Sequence, residues 1–149
     1  MTAPAIATCL WFDDQAEPAA RLYCSLFDDA EITEVFYKGG DPANGAFTVS
    51  FTLMGQHYWG LNGGPHFKLS PATSISVHVD SQAEVDRLWA ALLADGGAES
   101  RCGRLTDRFG LSWQIIPRAL PRLLQSDPSG RVMQAMMGMI KLDIAGLEA

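Results

Sequence analysis

The clearest alternation of apolar and polar side chains in this chain runs from residue 47 to residue 53. There, phenylalanine, valine and leucine occupy every second position, with serine or threonine between them. Residues 74–79 alternate in a similar way, and a period of two is typical of a strand with one buried face. Apolar runs bounded by turn residues predict further strands at 6–12, 31–37, 57–62 and 111–116, with shorter extended pieces around 98–102 and 104–106.

Two segments show helical spacing instead. Apolar side chains recur at intervals of three and four residues from Ala16 to Phe27 and from Val85 to Leu93, which places them on one face of a helix. Related pentapeptides precede these helices, Asp13-Asp14-Gln15-Ala16-Glu17 and Asp80-Ser81-Gln82-Ala83-Glu84. In each copy, an Asp or Ser stands three residues before a Glu, which predicts a capping box and hence a structural role.

The repeat predicts a duplicated module of one strand, one helix and three strands. The fold class is therefore α+β, with tandem βαβββ modules and a helical C-terminal extension. We expect one domain over residues 1–149, with module one at about 5–64, module two at about 72–117 and the tail at 118–149. The Met-rich tail predicts two short helices and an end piece, interrupted at Pro121 and at Pro128-Ser129-Gly130.

Composition narrows the classes of function. The 149 residues carry a net charge of −6, which argues against a nucleic-acid surface and against attraction to anionic membranes. The apolar stretches are shorter than a membrane span needs. Three widely spaced cysteines, Cys9, Cys24 and Cys102, imply no disulfide framework, so a cytoplasmic protein is expected.

Several motifs resemble one family over nearly the whole chain. The motifs are Leu10-Trp11-Phe12-Asp13, Gln15-Ala16-Glu17-Pro18-Ala19, Leu61-Asn62-Gly63-Gly64-Pro65-His66-Phe67, Glu84-Val85-Asp86-Arg87-Leu88-Trp89, Cys102-Gly103, Asp107-Arg108-Phe109-Gly110-Leu111-Ser112-Trp113-Gln114 and Arg131-Val132-Met133-Gln134-Ala135-Met136. Together with the repeat, they resemble the vicinal oxygen chelate superfamily, which includes glyoxalases, dioxygenases and bleomycin-resistance proteins. The closer resemblance is to its bacterial 3-demethylubiquinone-9 3-methyltransferase-like, or PhnB-like, subfamily.

The resemblance implies a pocket lined by strands one, four, five and eight, where metal-using members carry His, Gln or Glu. Carried onto this chain, those positions fall at Thr8, at Gly60 or Asn62, at Ser74 and at Gln114. Only Gln114 is a ligand type of the family, and transition metals prefer imidazole, carboxylate or thiolate. We therefore expect no metal and no cofactor.

Alternate residues of a strand point to opposite faces of the sheet, so further residues are predicted to share the pocket face with these positions. Trp11, Trp59 and Trp113 have the opposite parity to the implied positions and are predicted to pack in the core, toward the helices. The predicted pocket is apolar with hydroxyl and amide groups, as small-molecule sites often are. Its predicted ligand-binding residues are Thr8, Phe12, Tyr58, Asn62, Ser74, Ser76, Ser112 and Gln114.

The histidines and Cys102 give weaker indications of a metal site or of a reactive thiol. The three histidines, His57, His66 and His78, are read as isolated rather than as a metal triad. Cys102 lies near Arg101 and Arg104, which would favour a thiolate, yet a small buried cysteine is the more common case. A Gly-rich turn after the first strand, as a methyl-donor site would need, is absent from the sequence, so methyl transfer is not predicted.

The favoured function is metal-independent binding of a small molecule by a homodimer, with no catalytic residue assigned. One alternative is a divalent-metal-dependent lyase, isomerase or dioxygenase of the same superfamily that uses Gln114. Another is a non-catalytic dimeric scaffold. No nucleic-acid or membrane partner is expected.

Overall fold

The computed structural model describes residues 3–149. These residues form two compact units, which we call unit one and unit two, with the boundary between Leu69 and Ser70. The elements of unit one are β1 (Thr8–Phe12), α1 (Ala16–Ser25), β2 (Ala30–Tyr37), β3 (Ala46–Leu53) and β4 (Gln56–Asn62). Two short 3₁₀ turns, Lys38–Gly40 and Pro42–Asn44, connect β2 to β3. The sheet order is β1-β4-β3-β2, in which β1 and β4 are parallel and the other pairs antiparallel.

Unit two repeats this arrangement and adds the tail. Its strands and helices are β5 (Ser74–Val79), α2 (Gln82–Leu93), β6 (Ala98–Glu99), β7 (Arg104–Thr106), β8 (Ser112–Pro117), α3 (Ala119–Gln125), α4 (Arg131–Met137) and α5 (Ile144–Glu148). The sheet order is β5-β8-β7-β6, with β5 and β8 parallel. The two sheets therefore share one topology, and the predicted α+β fold of tandem βαβββ modules with C-terminal helices is confirmed. No helix within residues 3–149 is long and apolar enough to cross a membrane.

Helix α1 lies close to its sheet because its buried face is built mainly from alanine. Ala16, Ala19 and Ala20 are fully buried, and Tyr23 of the same face contacts Phe51 of β3 at a centroid distance of 6.2 Å. On β4, a Cβ added at Gly60 would lie 3.0 Å from the Cβ of Ala16. Glycine at this position therefore allows the close approach of helix and strand.

The capping box predicted at Asp14 and Glu17 is wrong. Helix α1 begins after Gln15, whose side chain makes no capping hydrogen bond. The side chain of Asn62, at the end of β4, accepts a hydrogen bond from the Ala16 amide at 2.8 Å and donates one to the Ala46 carbonyl at 3.0 Å. Asn62, 46 residues away in the sequence, thus supplies an acceptor for an N–H group at the helix start that has none within the helix.

At the second copy, the predicted cap forms in part. The Ser81 hydroxyl accepts a hydrogen bond from the Glu84 amide at 3.2 Å, as expected for an N-cap serine. The carboxylate of Glu84 binds Arg87 one turn later. The hydroxyl half of the predicted box is confirmed, and the carboxylate half is replaced by an ion pair.

The tail has its own apolar cluster and is held against α2. Leu120, Val132, Leu142 and Leu147 are buried together. The Gln82 amide donates to the Leu142 carbonyl at 3.1 Å, and its oxygen accepts from the Ile144 amide at 2.8 Å. The tail is therefore an integral part of unit two.

Candidate functional site

Alternation along β8 separates a helix-facing side from a polar side in unit two. Trp113 and Ile115 of β8 are fully buried. Trp113 is in register with Leu105, which is in register with Glu99, and the Glu99 carboxylate accepts a hydrogen bond from Trp89 of α2 at 3.1 Å. This side of the sheet therefore faces α2, and the predicted core position of Trp113 is confirmed.

The opposite side of the same sheet is mostly polar, and we call it the polar face. Two rows of side chains cross its strands in register. The first row contains Ser74, Ser112, Thr106 and Ala98, and the second contains Ser76, Gln114, Arg104 and Ser100. All four site residues predicted in module two, Ser74, Ser76, Ser112 and Gln114, lie on this face.

Two side-chain contacts organise the polar face. The Gln114 amide donates to the Ser74 hydroxyl at 2.8 Å. The Ser76 hydroxyl and Nε2 of His78 lie 3.0 Å apart on the same strand. Since the Ser74 oxygen accepts from Gln114, its own hydrogen is left to donate to a further group.

A cavity of about 40 Å³ opens on the polar face. Ser112 is 5% exposed, and its hydroxyl oxygen has no hydrogen-bond partner among the described residues. An unsatisfied buried hydroxyl is costly, so its presence at a cavity points to a group that the cavity receives. The polar residues lining the cavity are Ser74, Ser100, Arg104, Thr106 and Ser112.

Asp107 fixes the turn that connects β7 to β8. Its buried carboxylate accepts hydrogen bonds from the amides of Phe109 and Leu111 at 2.9 and 3.1 Å and from Nε1 of Trp113 at 2.9 Å. Gly110 completes the turn at φ +92°. The residues from Asp107 to Trp113, part of the resemblance, thus hold Thr106 and Ser112 side by side.

A second turn positions the start of β7. Cys102 and Gly103 both have positive φ, and a Cβ at Gly103 would lie 3.0 Å from the Ile115 carbonyl oxygen and from Leu142. The tail carbonyls of Met139 and Ile140 accept hydrogen bonds from the amides of Cys102 and Gly103. The Cys102-Gly103 motif therefore has a clear backbone role beside Arg104.

In unit one, the predicted parity is reversed. Phe12 is buried, and its ring would lie 3.3 Å from a Cβ at Gly60, on the side that faces Ala16 of α1. Asn62 reaches the same helix through its cap. Since Thr8 and Tyr58 share this parity in the β1–β4 register, all four site residues predicted in module one belong to the helix-facing side.

Trp11 and Trp59 accordingly lie on the side away from α1. Nε1 of Trp11 donates to the Gly64 carbonyl at 2.9 Å, and its ring meets Phe67 edge-on at 4.9 Å. A Cβ at Gly63 would lie 2.3 Å from the Trp11 ring, which explains the glycine at this position, and Gly64 has a φ of +87°, which favours glycine. Trp59 is 37% exposed, so its predicted core position is wrong.

The unit-one residues have packing partners of their own. The side-chain oxygen of Asn62 caps α1, and its NH₂ group donates to the Ala46 carbonyl at the start of β3. The Tyr58 ring stacks on Phe51 at 5.4 Å, and burial raises the pKa of its phenol. Thr8 is exposed at the start of β1. The contacts of Asn62 and Tyr58 are therefore those of a helix–sheet interface.

The donor groups do not fit a transition metal. Three of the four positions that the resemblance implies are occupied by Thr8, by Gly60 or Asn62, and by Ser74. These offer hydroxyls, an amide or no side chain, whereas Zn²⁺ or Fe²⁺ prefers imidazole, thiolate or carboxylate. The Gln114 amide already binds Ser74. Across residues 3–149, no group of three or more His, Cys, Asp or Glu side chains is placed to hold an ion.

Two of the three cysteines, Cys9 and Cys24, have raised thiol pKa values. Cys9 is exposed on β1, and partial burial raises its thiol pKa. Burial and the neighbouring Glu31 carboxylate raise the thiol pKa of Cys24. A raised pKa leaves less thiolate at neutral pH, which disfavours nucleophilic chemistry at these two positions.

Comparison with known proteins places the chain in a family. The profile of the 3-demethylubiquinone-9 3-methyltransferase family matches residues 4–116. The structure of the PhnB protein from Bacillus cereus is 31% identical, with a TM-score of 0.68 over 76% of this chain and 99% of that one. No curated protein matches the chain.

Two further structures share the fold at lower identity. A glyoxalase/bleomycin resistance protein from Albidiferax ferrireducens T118 is 14% identical, with a TM-score of 0.52 over 75% of this chain and 96% of that one. The fosfomycin resistance protein FosX from Listeria monocytogenes is 16% identical, with a TM-score of 0.52 over 78% and 94%. The chain belongs to the 3-demethylubiquinone-9 3-methyltransferase family, and it is similar to the PhnB protein from Bacillus cereus.

Proposed function

We propose that this protein binds a small organic molecule on the polar face of unit two, without a metal ion between ligand and protein. The observation that carries the proposal is the buried Ser112 hydroxyl, which has no hydrogen-bond partner within residues 3–149 and lines a cavity. A ligand that accepts or donates a hydrogen bond there would relieve the cost of burying that hydroxyl.

The size of the cavity limits what it can hold. A volume of about 40 Å³ is well below the roughly 300–1,000 Å³ of a drug-sized site. The cavity therefore receives one functional group of the ligand. The rest of the molecule lies over the neighbouring side chains of the polar face, including Gln114, Ser76 and His78.

Membership of the family is better support for small-molecule binding than for a particular reaction. Its name includes a methyltransferase activity, but this chain lacks the Gly-rich turn that a methyl donor would require. Two fold relatives are named for resistance to bleomycin and to fosfomycin, which is in keeping with a fold suited to small molecules. A cytoplasmic location and a homodimer of single-domain subunits remain part of the proposal, and sedimentation velocity tests the homodimer.

Binding is tested by ¹⁵N–¹H spectra of the labelled protein in buffer with EDTA, against a library of acidic, basic and neutral fragments. The proposal expects hits that shift the amides of residues 74–76, 104–106 and 112–114. A library that leaves these amides unmoved contradicts the proposal. Binding that appears only after a divalent metal is added would favour the metal-dependent lyase, isomerase or dioxygenase instead.

A further inference from the structure

We propose that the group received by the cavity of unit two is a small oxyanion, of the carboxylate type, held by the Arg104 guanidinium and the Ser112 hydroxyl. This inference rests on the proposed function and adds the chemical class of the ligand. It starts from the one charged side chain among the residues that line the cavity, which is Arg104.

Arg104 has no anionic partner in the described part of the chain. The ion pairs within residues 3–149 involve other basic residues, namely Arg21, Arg87, Arg108, Arg118 and Lys141. A guanidinium presents several N–H donors in a planar fork that suits the two oxygens of a carboxylate. Its charge is thus available to a ligand.

The polar face itself supplies no competing carboxylate. The two rows of residues around Arg104 contain hydroxyls, one amide and one alanine. Glu99 points to the α2 side, where it binds Trp89, and Asp107 is buried in its turn. A cation would therefore find no charged ligand here, whereas an anion finds a guanidinium and several hydroxyl donors.

The hydroxyls complement the charge. Ser112 has an unused O–H at the cavity, and the Ser74 O–H is left to donate because its oxygen accepts from Gln114. Thr106 lies beside Ser112 in the next strand. Hydrogen bonds from neutral donors to an ionised acceptor are stronger than those to a neutral one, which favours a carboxylate over an amide in this cavity.

The backbone at Arg104 is fixed before any ligand arrives. The Gly103 amide donates to Ile140 of the tail at 2.7 Å, and the Ile115 amide donates to the Gly103 carbonyl at 2.8 Å. The Arg104 carbonyl accepts from the Ser100 amide at 2.9 Å. Binding therefore requires ordering of the Arg104 side chain but little change of the backbone, which reduces its entropic cost.

The test compares sodium acetate with acetamide in ¹⁵N–¹H titrations at constant ionic strength, with inorganic phosphate as a third ligand. Acetate is expected to shift the amides near residues 74, 104, 106 and 112, and acetamide is expected to leave them in place. Arg104→Gln should weaken acetate binding at least tenfold. The matched control is Arg101→Gln, an exposed arginine outside the cavity lining, which should stay within twofold of the wild type.

The three kinds of ligand distinguish a failure of the oxyanion inference from a failure of the proposed function. If neutral fragments shift the same amides while acetate and phosphate do not, binding stands and the oxyanion is refuted. If no compound of any charge binds, both fail. Phosphate binding more tightly than acetate would keep the oxyanion and identify the phosphoryl type. Should Arg104→Gln not fold, Arg104→Met replaces it, because it also removes the charge. Acetate binding within twofold of the wild type in that variant would overturn the role of Arg104.

Discussion

Ser112 and Asp107 are buried polar side chains of unit two with opposite hydrogen bonding. The Asp107 carboxylate accepts from two amides and an indole, whereas the Ser112 hydroxyl has no partner within the described residues. A buried polar group that is fully bonded supports the fold, and one that is not bonded destabilises it. Asp107 is accordingly structural, and Ser112 is available to a ligand.

Replacing Ser112 with alanine should raise the free energy of unfolding, or leave it unchanged, by removing an unsatisfied hydroxyl worth up to about 1–3 kcal/mol. Urea unfolding measures the change. Ser74→Ala is the comparison, since it removes a hydroxyl that accepts from Gln114 and should destabilise by roughly 1 kcal/mol. A clear loss of stability in Ser112→Ala would mean that this hydroxyl is bonded in the free protein.

Replacing Asp107 with alanine should lower the free energy of unfolding by roughly 2–4 kcal/mol, because two amides and the Trp113 indole lose their acceptor. The same urea experiment reports this. Asp95→Asn is the control, since Asp95 is 82% exposed, its ion pair with Arg108 is long, at 3.8 Å, and asparagine tolerates its φ of +62°. Equal effects of the two substitutions would contradict the role given to Asp107.

At the scale of helices and strands, the two copies of the repeat make different hydrogen bonds. In the first copy, Gln15 precedes α1 without a capping side chain, and Asn62 supplies the cap. In the second copy, Gln82 binds both Leu142 and Ile144 and so attaches the tail to α2. The equivalent glutamine of the repeat therefore makes no capping hydrogen bond in the first copy, whereas it attaches the tail in the second.

Gln82→Ala should loosen the end of the tail without unfolding the sheet. We expect faster amide hydrogen exchange at residues 142–148, with little change in strands β5 and β8, as measured by mass spectrometry. Gln134→Ala is the matched control, because Gln134 is an exposed glutamine of α4. Protection of the tail that survives Gln82→Ala would show that the apolar cluster alone holds it.

The start of α4 should depend on acidity through Asp127. Its carboxylate accepts from the Ser129 hydroxyl and, at 2.7 Å, from the Val132 amide. The Ser129 hydrogen bond first, and the Val132 amide next, hold the pKa of Asp127 below its usual value of 3.8. A depressed pKa means that this contribution is present above pH 3.8 and is lost as the pH falls through the lower pKa of the folded state.

Carboxyl ¹³C NMR of Asp127 measures that pKa, and the Val132 amide shift should titrate with the same midpoint. In Asp127→Asn, the Val132 amide shift should no longer follow pH in this range. A pKa of Asp127 at or above 3.8 would contradict the cap.

The spacing of apolar residues predicted the helices and strands well, because this periodicity depends only on residues that are close together in the sequence. They failed on which side of β1 faces α1, since Leu10 and Phe12 alternate with Cys9 and Trp11 and both sets can be buried. The cap by Asn62 joins residues 46 apart, and the Gln82 contacts join residues 60 and 62 apart. Such contacts depend on tertiary packing, which local spacing does not encode.

For the molecule as a whole, duplication has produced two sheets of one topology with different surfaces. The helix-distant side of unit one carries Trp11 and Trp59, whereas that of unit two is the polar face. In unit two, the polar face joins a cavity to a hydroxyl and a guanidinium that have no hydrogen-bond or ion-pair partner within residues 3–149. The net charge of −6 opposes the approach of an anion, so we expect oxyanion binding to be selective but weak.

The most direct test of metal-free binding on the polar face uses Ser112→Ala with a fragment that binds the wild type in EDTA. The account predicts that binding, followed by amide shifts at residues 104–106 and 112–114, weakens at least tenfold while the free energy of unfolding stays the same or rises. The account would be contradicted if Ser112→Ala bound the fragment with unchanged affinity. It would also be contradicted if Ser112→Ala regained the affinity of the wild type when a divalent metal replaced EDTA.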